Sequence, residues 1–274
     1  MLTLISPAKI NLFLQIVRRR LDGYHDLASL FQAITLHDTI HFALSDHDEL
    51  SCDKPGIPTD SSNLILKAAN LFRRKTGLKF GLKIHLEKRI PHEAGLGGGS
   101  SNAATTLWAL NQLHAQHATL DELIDWSGEI GSDITFFLSQ GTAFCTGRGE
   151  IIQNLDSLPD QKLWIAKPAE GLSTPAVFKA LNVKLLPQRN ARAVLEDFYK
   201  GKPIYFNDLE KTAFQLKPIL ELIKMQLLEA GFENVLMTGS GTAFFCIGAC
   251  VQPHIRGVEL YPASFIQRPL NQWY

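Results

Sequence analysis

Residues Pro91 to Ala104 read Pro91-His92-Glu93-Ala94-Gly95-Leu96-Gly97-Gly98-Gly99-Ser100-Ser101-Asn102-Ala103-Ala104. Four glycines in five positions allow backbone angles that a Cβ forbids, and they let another molecule approach the main chain. Ser100, Ser101 and Asn102 are favoured helix N-cap types. The apolar residues that follow, Ala103, Ala104, Leu107, Trp108 and Ala115, fall on one face of a predicted helix. A glycine loop feeding a helix start aims unpaired N–H groups and the positive end of the helix dipole at one point. That arrangement suits a phosphate group. A Walker loop is excluded because no lysine lies between Gly95 and Ala104. The dinucleotide fingerprint fails because its third glycine position holds Ser100.

Outward from this loop the pattern is mixed. Ahead of it, Leu2 to Val17 alternates as a strand, with Lys9 and Asn11 on one face, and the Asp22-Gly23 turn delivers Tyr24 and His25. Leu27 to Leu44 returns in extended form with a break at His37-Asp38, and residues 46–60 read as a loop. Ser61-Ser62 is expected to cap a helix over Asn63 to Thr76, and Gly81 to Ile90 alternates as the strand that enters the glycine loop. Behind the loop, Thr119-Leu-Asp-Glu is a capping box. Gly131-Ser-Asp133 opens a brief helix, where a plain helix cap competes with a catalytic role for the aspartate, and Thr142 to Gln153 reads as a hairpin. Leu158-Pro-Asp marks a boundary, giving lobes 1–157 and 158–274. The second lobe has a strand at Leu163 to Ala166 and helices from Thr174, over Gln188 to Lys200, Asp208 to Leu216 and Pro218 to Ala230. It closes with a strand–glycine turn–strand unit over Val235 to Ile247. The class is α+β.

The chain has 274 residues and zero formal net charge, so a nucleic-acid partner is not expected. The cluster Arg18-Arg19-Arg20 reads as a solvated strand end. The longest apolar run, Ala243 to Val251, is too short to span a membrane. No signal-peptide pattern opens the chain, and Cys52, Cys145, Cys246 and Cys250 have no zinc spacing, so a reduced, cytoplasmic protein is expected.

The glycine-loop string resembles the phosphate loop of the GHMP kinases, the family of galactokinase, homoserine kinase and mevalonate kinase. It is most similar to the branch acting on a cytidine diphosphate methylerythritol. Separated stretches carry the likeness: Ser6-Pro-Ala-Lys9-Ile-Asn11, Asp22-Gly-Tyr24-His25, Asn63-Leu-Ile, Gly131-Ser-Asp133-Ile-Thr-Phe-Phe, Ser173-Thr174-Pro-Ala-Val-Phe178 and Thr238-Gly239-Ser240-Gly241. The resemblance implies a ribosomal-protein-S5-like first lobe, a ferredoxin-like second lobe and an ATP-dependent small-molecule kinase. It further implies Lys9 and Asp133 as the catalytic pair, and an ATP site of Asn63, Pro91 to Ser101 and Gly239 to Gly241. Asn11, Tyr24, His25, Thr174 and Phe178 are implied to hold the acceptor, with Tyr24 and Phe178 stacking on cytosine and His25 bonding its edge. Mg2+ is expected, held by Ser100 or Ser101, and the protein is expected as a monomer or weak homodimer without membrane partners. Two departures stand out: Glu93 occupies a usual glycine position, and Ile134-Thr135 replaces Val-Pro. Another kinase of the family, or a nucleotide- or RNA-binding module of the same fold, is the competing expectation.

Overall fold

The computed structural model describes residues 1–248 and 255–274. Cys250 and the end of the Ala243–Val251 run lie outside them. The first lobe is organised on a long hairpin, β1 (Leu2–Arg19) and β2 (His25–Ser45), whose turn is held by Asp22 accepting from the Tyr24 N–H. It continues through β3 (Glu49–Cys52), α1 (Leu64–Thr76), β4 (Gly81–Glu87), α2 (Gly98–Leu113), α3 (Leu120–Ser127), α4 (Ile134–Phe137), β5 (Thr142–Gly147) and β6 (Ile151–Asn154). The first half of β2 pairs with β5 and the second half with β4, both antiparallel. His37-Asp38 is thus no break in β2: the strand runs on while its second neighbour changes.

The second lobe contains β7 (Lys162–Pro168), α5 (Thr174–Ala180), α6 (Ala191–Tyr199), β8 (Phe206–Asn207), α7 (Glu210–Leu216), α8 (Ile219–Glu229), β9 (Asn234–Met237), β10 (Phe244–Ile247) and β11 (Val258–Ser264). Its antiparallel sheet has the order β11-β7-β10-β9, with the helices carried on the β7-to-β9 connection. Two segments return to the first lobe. β8 pairs in parallel with β1, and residues 265–274 place Trp273 Nε1 on the Ile5 carbonyl and Arg268 on the carbonyl of Ser139.

β1 is buried on both faces from Ser6 to Ile16. Ala8, Ile10 and Leu12 join Leu96, Ile165 and Phe245 in the core between the lobes. The other face of the strand therefore carries Lys9 and Asn11 into the interior instead of into water.

Several local expectations are corrected. The N-cap of α1 is Asn63, whose side chain accepts from the Ile65 N–H, not Ser61 or Ser62. The N-cap of α2 is Gly97, with φ 70°, so Ser100, Ser101 and Asn102 lie inside the helix. That helix ends at Leu113, and Ala115 has turned left-handed at φ 57°. Residues 46–60 contain β3, whose short polar sequence lacks an alternating signal. The β4 strand stops at Glu87, and β11 was not anticipated at all.

Candidate active site

The glycine loop lies against β1, with the Lys9 N–H donating to the Leu96 carbonyl at 3.0 Å. It also packs on the Thr238–Gly241 turn, main chain to main chain. A Cβ on Gly95 would fall 2.2 Å from the Thr238 carbonyl oxygen, and one on Gly241 would fall 2.2 Å from Gly95 N. These two glycines are required by close backbone approach as well as by any ligand. The Thr238 hydroxyl accepts from the Asn11 N–H at 3.1 Å, binding the second glycine turn to β1.

Lys9 and Asp133 converge beside the loop. Lys9 Nζ is 3.7 Å from Asp133 Oδ2, donates to Asn11 Oδ1 at 2.7 Å and lies 4.6 Å from the centre of the Phe31 ring. Lys9 is only 3% exposed, and burial pushes its ammonium below the usual lysine range, with Asp133 opposing that shift. Asp133 occupies the N-cap position of α4, yet its side chain makes no capping hydrogen bond. The simple cap reading therefore does not account for the carboxylate, which remains free to meet another group. Cys145 sits behind the pair, fully buried, its thiol pushed far up by burial and by Asp133. It is an uncharged filler there, and nothing in the sequence singled it out.

Asp133 lines a cavity of about 620 Å³ together with Tyr24, His25, Ser100, Ser132, Thr174 and Phe178. The His25 and Phe178 rings are 5.3 Å apart, tilted by 33°. His25 is buried and its Nε2 has no hydrogen-bond partner. A buried orphan nitrogen on a cavity wall marks a place for a ligand to bond. Burial first, then Arg19, holds the imidazole below the ordinary histidine pKa, so it is neutral near pH 7 and offers one donor and one acceptor. Arg148 lies 5.2 Å from the Tyr24 ring centre. The Thr174 and Ser240 hydroxyls are 2.6 Å apart, linking the cavity wall to the second glycine turn.

Other expected residues have structural duties. The Asn11 side chain is engaged with Lys9, Ser29 and Thr238, so its place is behind Lys9. The Asn63 amide also donates to the Pro58 carbonyl, so both ends of its side chain are occupied. Ser101 is fully buried and its hydroxyl accepts from Ser6, whereas Ser100 lines the cavity. Pro91 and His92 line a separate cavity of about 730 Å³ with Lys54, Arg89 and Lys167. Glu93 is exposed and has φ 52°, a conformation that explains why glycine is usual there. Three cavity cations were missed by sequence reasoning: Arg19, Arg148 and Lys179. The arginine triplet divides, since Arg18 and Arg20 pair with Asp26 while Arg19 faces the cavity.

Comparison with known proteins gives the family. The pattern of the GHMP kinases N terminal domain matches residues 63–141. The 4-diphosphocytidyl-2-C-methyl-D-erythritol kinase of Protochlamydia amoebophila (strain UWE25) is 54% identical over 99% of this chain and 92% of its own length. The chain belongs to the 4-diphosphocytidyl-2-C-methyl-D-erythritol kinase family. The chloroplastic/chromoplastic member from Solanum lycopersicum is 46% identical, matching all of this chain and 73% of its own. A crystal structure of a 4-(cytidine 5'-diphospho)-2C-methyl-D-erythritol kinase superposes with TM-score 0.81 at 34% identity, covering 97% of this chain and 99% of that one. A mevalonate kinase structure, at TM-score 0.67 and 15% identity, shares the fold. The two-lobed GHMP architecture expected from the sequence is thus the architecture found. Among the described residues, no helix is long and apolar enough to cross a membrane.

Proposed function

We propose that the chain transfers the γ-phosphoryl group of ATP to the 2-hydroxyl of 4-diphosphocytidyl-2-C-methyl-D-erythritol, releasing ADP, in the non-mevalonate route to isoprenoid precursors. The observation that carries this reading is one cavity lined by both Asp133, which Lys9 backs at 3.7 Å, and His25, whose Nε2 is unpaired. A phosphoryl acceptor with a base at its far end meets both.

In this reading the loop Pro91 to Ser101 and the turn Gly239 to Gly241 bind ATP, the N–H groups at the start of α2 facing the phosphates. His25 bonds the cytosine edge, with Tyr24 and Phe178 against the base, each stacked face contributing about 1 kcal/mol. Thr174 closes the wall, and Arg19, Arg148 and Lys179 balance the acceptor's negative charge. Asp133 orients the hydroxyl and takes its proton late in the transfer, because an ordinary carboxylate is a weak base toward an alcohol. Lys9 stabilises the charge growing on the attacking oxygen and the incoming phosphoryl group. Among the described residues no group of three His, Cys, Asp or Glu side chains suits a metal ion. Mg2+ would be held by Ser100, which lines the cavity, and would supply neutralisation of the ATP phosphate charge.

The lobes 1–157 and 158–274 are the working halves, bridged by β8 and the final ten residues. Their compartment is the cytoplasm and their state a monomer or weak homodimer. Incubation with magnesium ATP and separate alcohols tests the acceptor. ADP should form rapidly with the cytidylyl acceptor and only at background with homoserine or mevalonate; comparable rates with all three refute the base pocket.

A further inference from the structure

The Asp38 side chain is buried to 0% exposure, among residues that read as a strand break in the sequence. Its carboxylate takes four donors. Oδ1 accepts from the N–H groups of Arg89 and Ile90, both at 2.8 Å. Oδ2 accepts from Lys88 Nζ at 2.6 Å and from Asn102 Nδ2 at 3.0 Å. The Lys88 ammonium also donates to the Ile90 carbonyl at 2.7 Å. Lys88 to Ile90 lead into the glycine loop, and Asn102 lies one turn inside the helix that leaves it. Asn102 further donates to the Ser6 hydroxyl, which donates to the Ser101 hydroxyl at 2.8 Å. One carboxylate therefore ties both ends of the loop to β2, and the Ser6 branch ties the leaving end to β1, three residues before Lys9.

We infer that Asp38 is the positioning residue of the phosphate loop: through Asn102 and the Arg89–Ile90 main chain it fixes where the N–H groups at the start of α2 point, without touching ATP itself. This inference rests on the loop being the ATP site, and it assigns a role to a residue outside the motifs that identify the family. The physical reason is that a nest of N–H donors works only when the donors are already aimed. The glycines between positions 95 and 99 cannot supply that rigidity, since they are the most permissive residues in the chain. The Lys9 N–H on the Leu96 carbonyl and the packing of Gly95 hold the middle of the loop, and Asp38 holds both flanks. A carboxylate is suited to the task because it accepts on four sites and donates on none.

The test uses Asn102→Ala and the paired variant Asp38→Asn with Lys88→Met. Asn102→Ala leaves the Asp38–Lys88 ion pair in place, and the paired variant leaves no orphan buried charge. Each should still fold cooperatively, with a melting temperature lowered by only about a few degrees. The KM for ATP should rise about tenfold, because a loop that is no longer held in place must be ordered when ATP binds. The Kd for cytidine diphosphate, bound at Tyr24, His25 and Phe178, should stay within about twofold of wild type. Wild-type ATP kinetics in both variants, or an equal loss of ATP and cytidine diphosphate binding, overturns the positioning role. Asp38→Asn alone provides a further readout: it should raise the KM for ATP and also lower stability, because Lys88 keeps its charge without its partner. Failure of the ATP-site reading itself is seen separately, as wild-type protein whose glycine loop is not protected from proteolysis or exchange by magnesium ATP.

Discussion

At the end of the cleft proposed for the reaction, Lys9, Asn11 and Thr238 are joined by hydrogen bonds, and two glycine turns touch backbone to backbone. At the base end, Tyr24 is 59% exposed, its ring meets Arg148, and the His25 Nε2 is unpaired. The first region is finished before any ligand arrives, whereas the second is completed by one. The contrast follows from chemistry. Charge stabilisation requires dipoles fixed in advance, while recognition of a base requires polar groups left over to bond it.

Substitutions should break the two ends in different ways. Asp133→Asn keeps shape and removes the base, so turnover should fall by about three orders of magnitude or more while Kd for cytidine diphosphate is nearly unchanged. Rapid-quench and binding measurements on one preparation check both parts. Gly95→Ala puts a methyl group where Thr238 O already stands, so the two glycine turns must separate. The expected result is loss of ATP turnover by about a hundredfold or failure to accumulate folded protein, scored by activity and thermal melting. His25→Ala should raise the KM for the cytidylyl acceptor by about tenfold to a hundredfold and leave the KM for ATP alone. An equal change in both constants would erase the distinction between the two ends.

Acid provides a gentler probe of the base end. Burial lowers the pKa of His25 and of His114 below the unfolded value of 6.5. The unfolded chain then binds more protons than the native one between 6.5 and those lower values, so stability should fall as pH drops through that window. Native His25 gains its charge only as pH falls to its own lowered pKa, at the acid end of that window, and acceptor KM should climb there; His25→Phe should abolish this KM trend while His114→Phe spares it. Smallest of all, Glu93→Gly removes a left-handed non-glycine residue worth about 1 kcal/mol, which should raise Tm by about 2 °C with little change in turnover.

Much of this was legible in the chain itself. Glycine spacing disclosed the loop, and alternation disclosed β1 and β2 with Lys9 and Asn11 on a shared face. What local pattern alone leaves open has physical causes. Lys9 is an ordinary strand-face lysine by pattern, and only the packing of both faces of β1 shows it to be buried. Asp133 looks like a helix cap by position, and only the missing capping bond frees it. Ser100, Ser101 and Asn102 have N-cap chemistry, but the left-handed Gly97 starts the helix earlier and turns Asn102 inward. Arg19 could not be separated from Arg18 and Arg20 until the acidic partners of those two were placed. Asp38 and Lys88 lie 50 residues apart, and no local pattern connects them.

The most direct test is a crystal structure with a non-hydrolysable ATP analogue and the cytidylyl acceptor bound together. The account predicts the acceptor 2-hydroxyl within about 3 Å of Asp133 and Lys9, in line with the γ-phosphate, and the cytosine edge on His25 Nε2. An acceptor bound with its hydroxyl turned away from that pair, or with its base outside the Tyr24–Phe178 cavity, would contradict it.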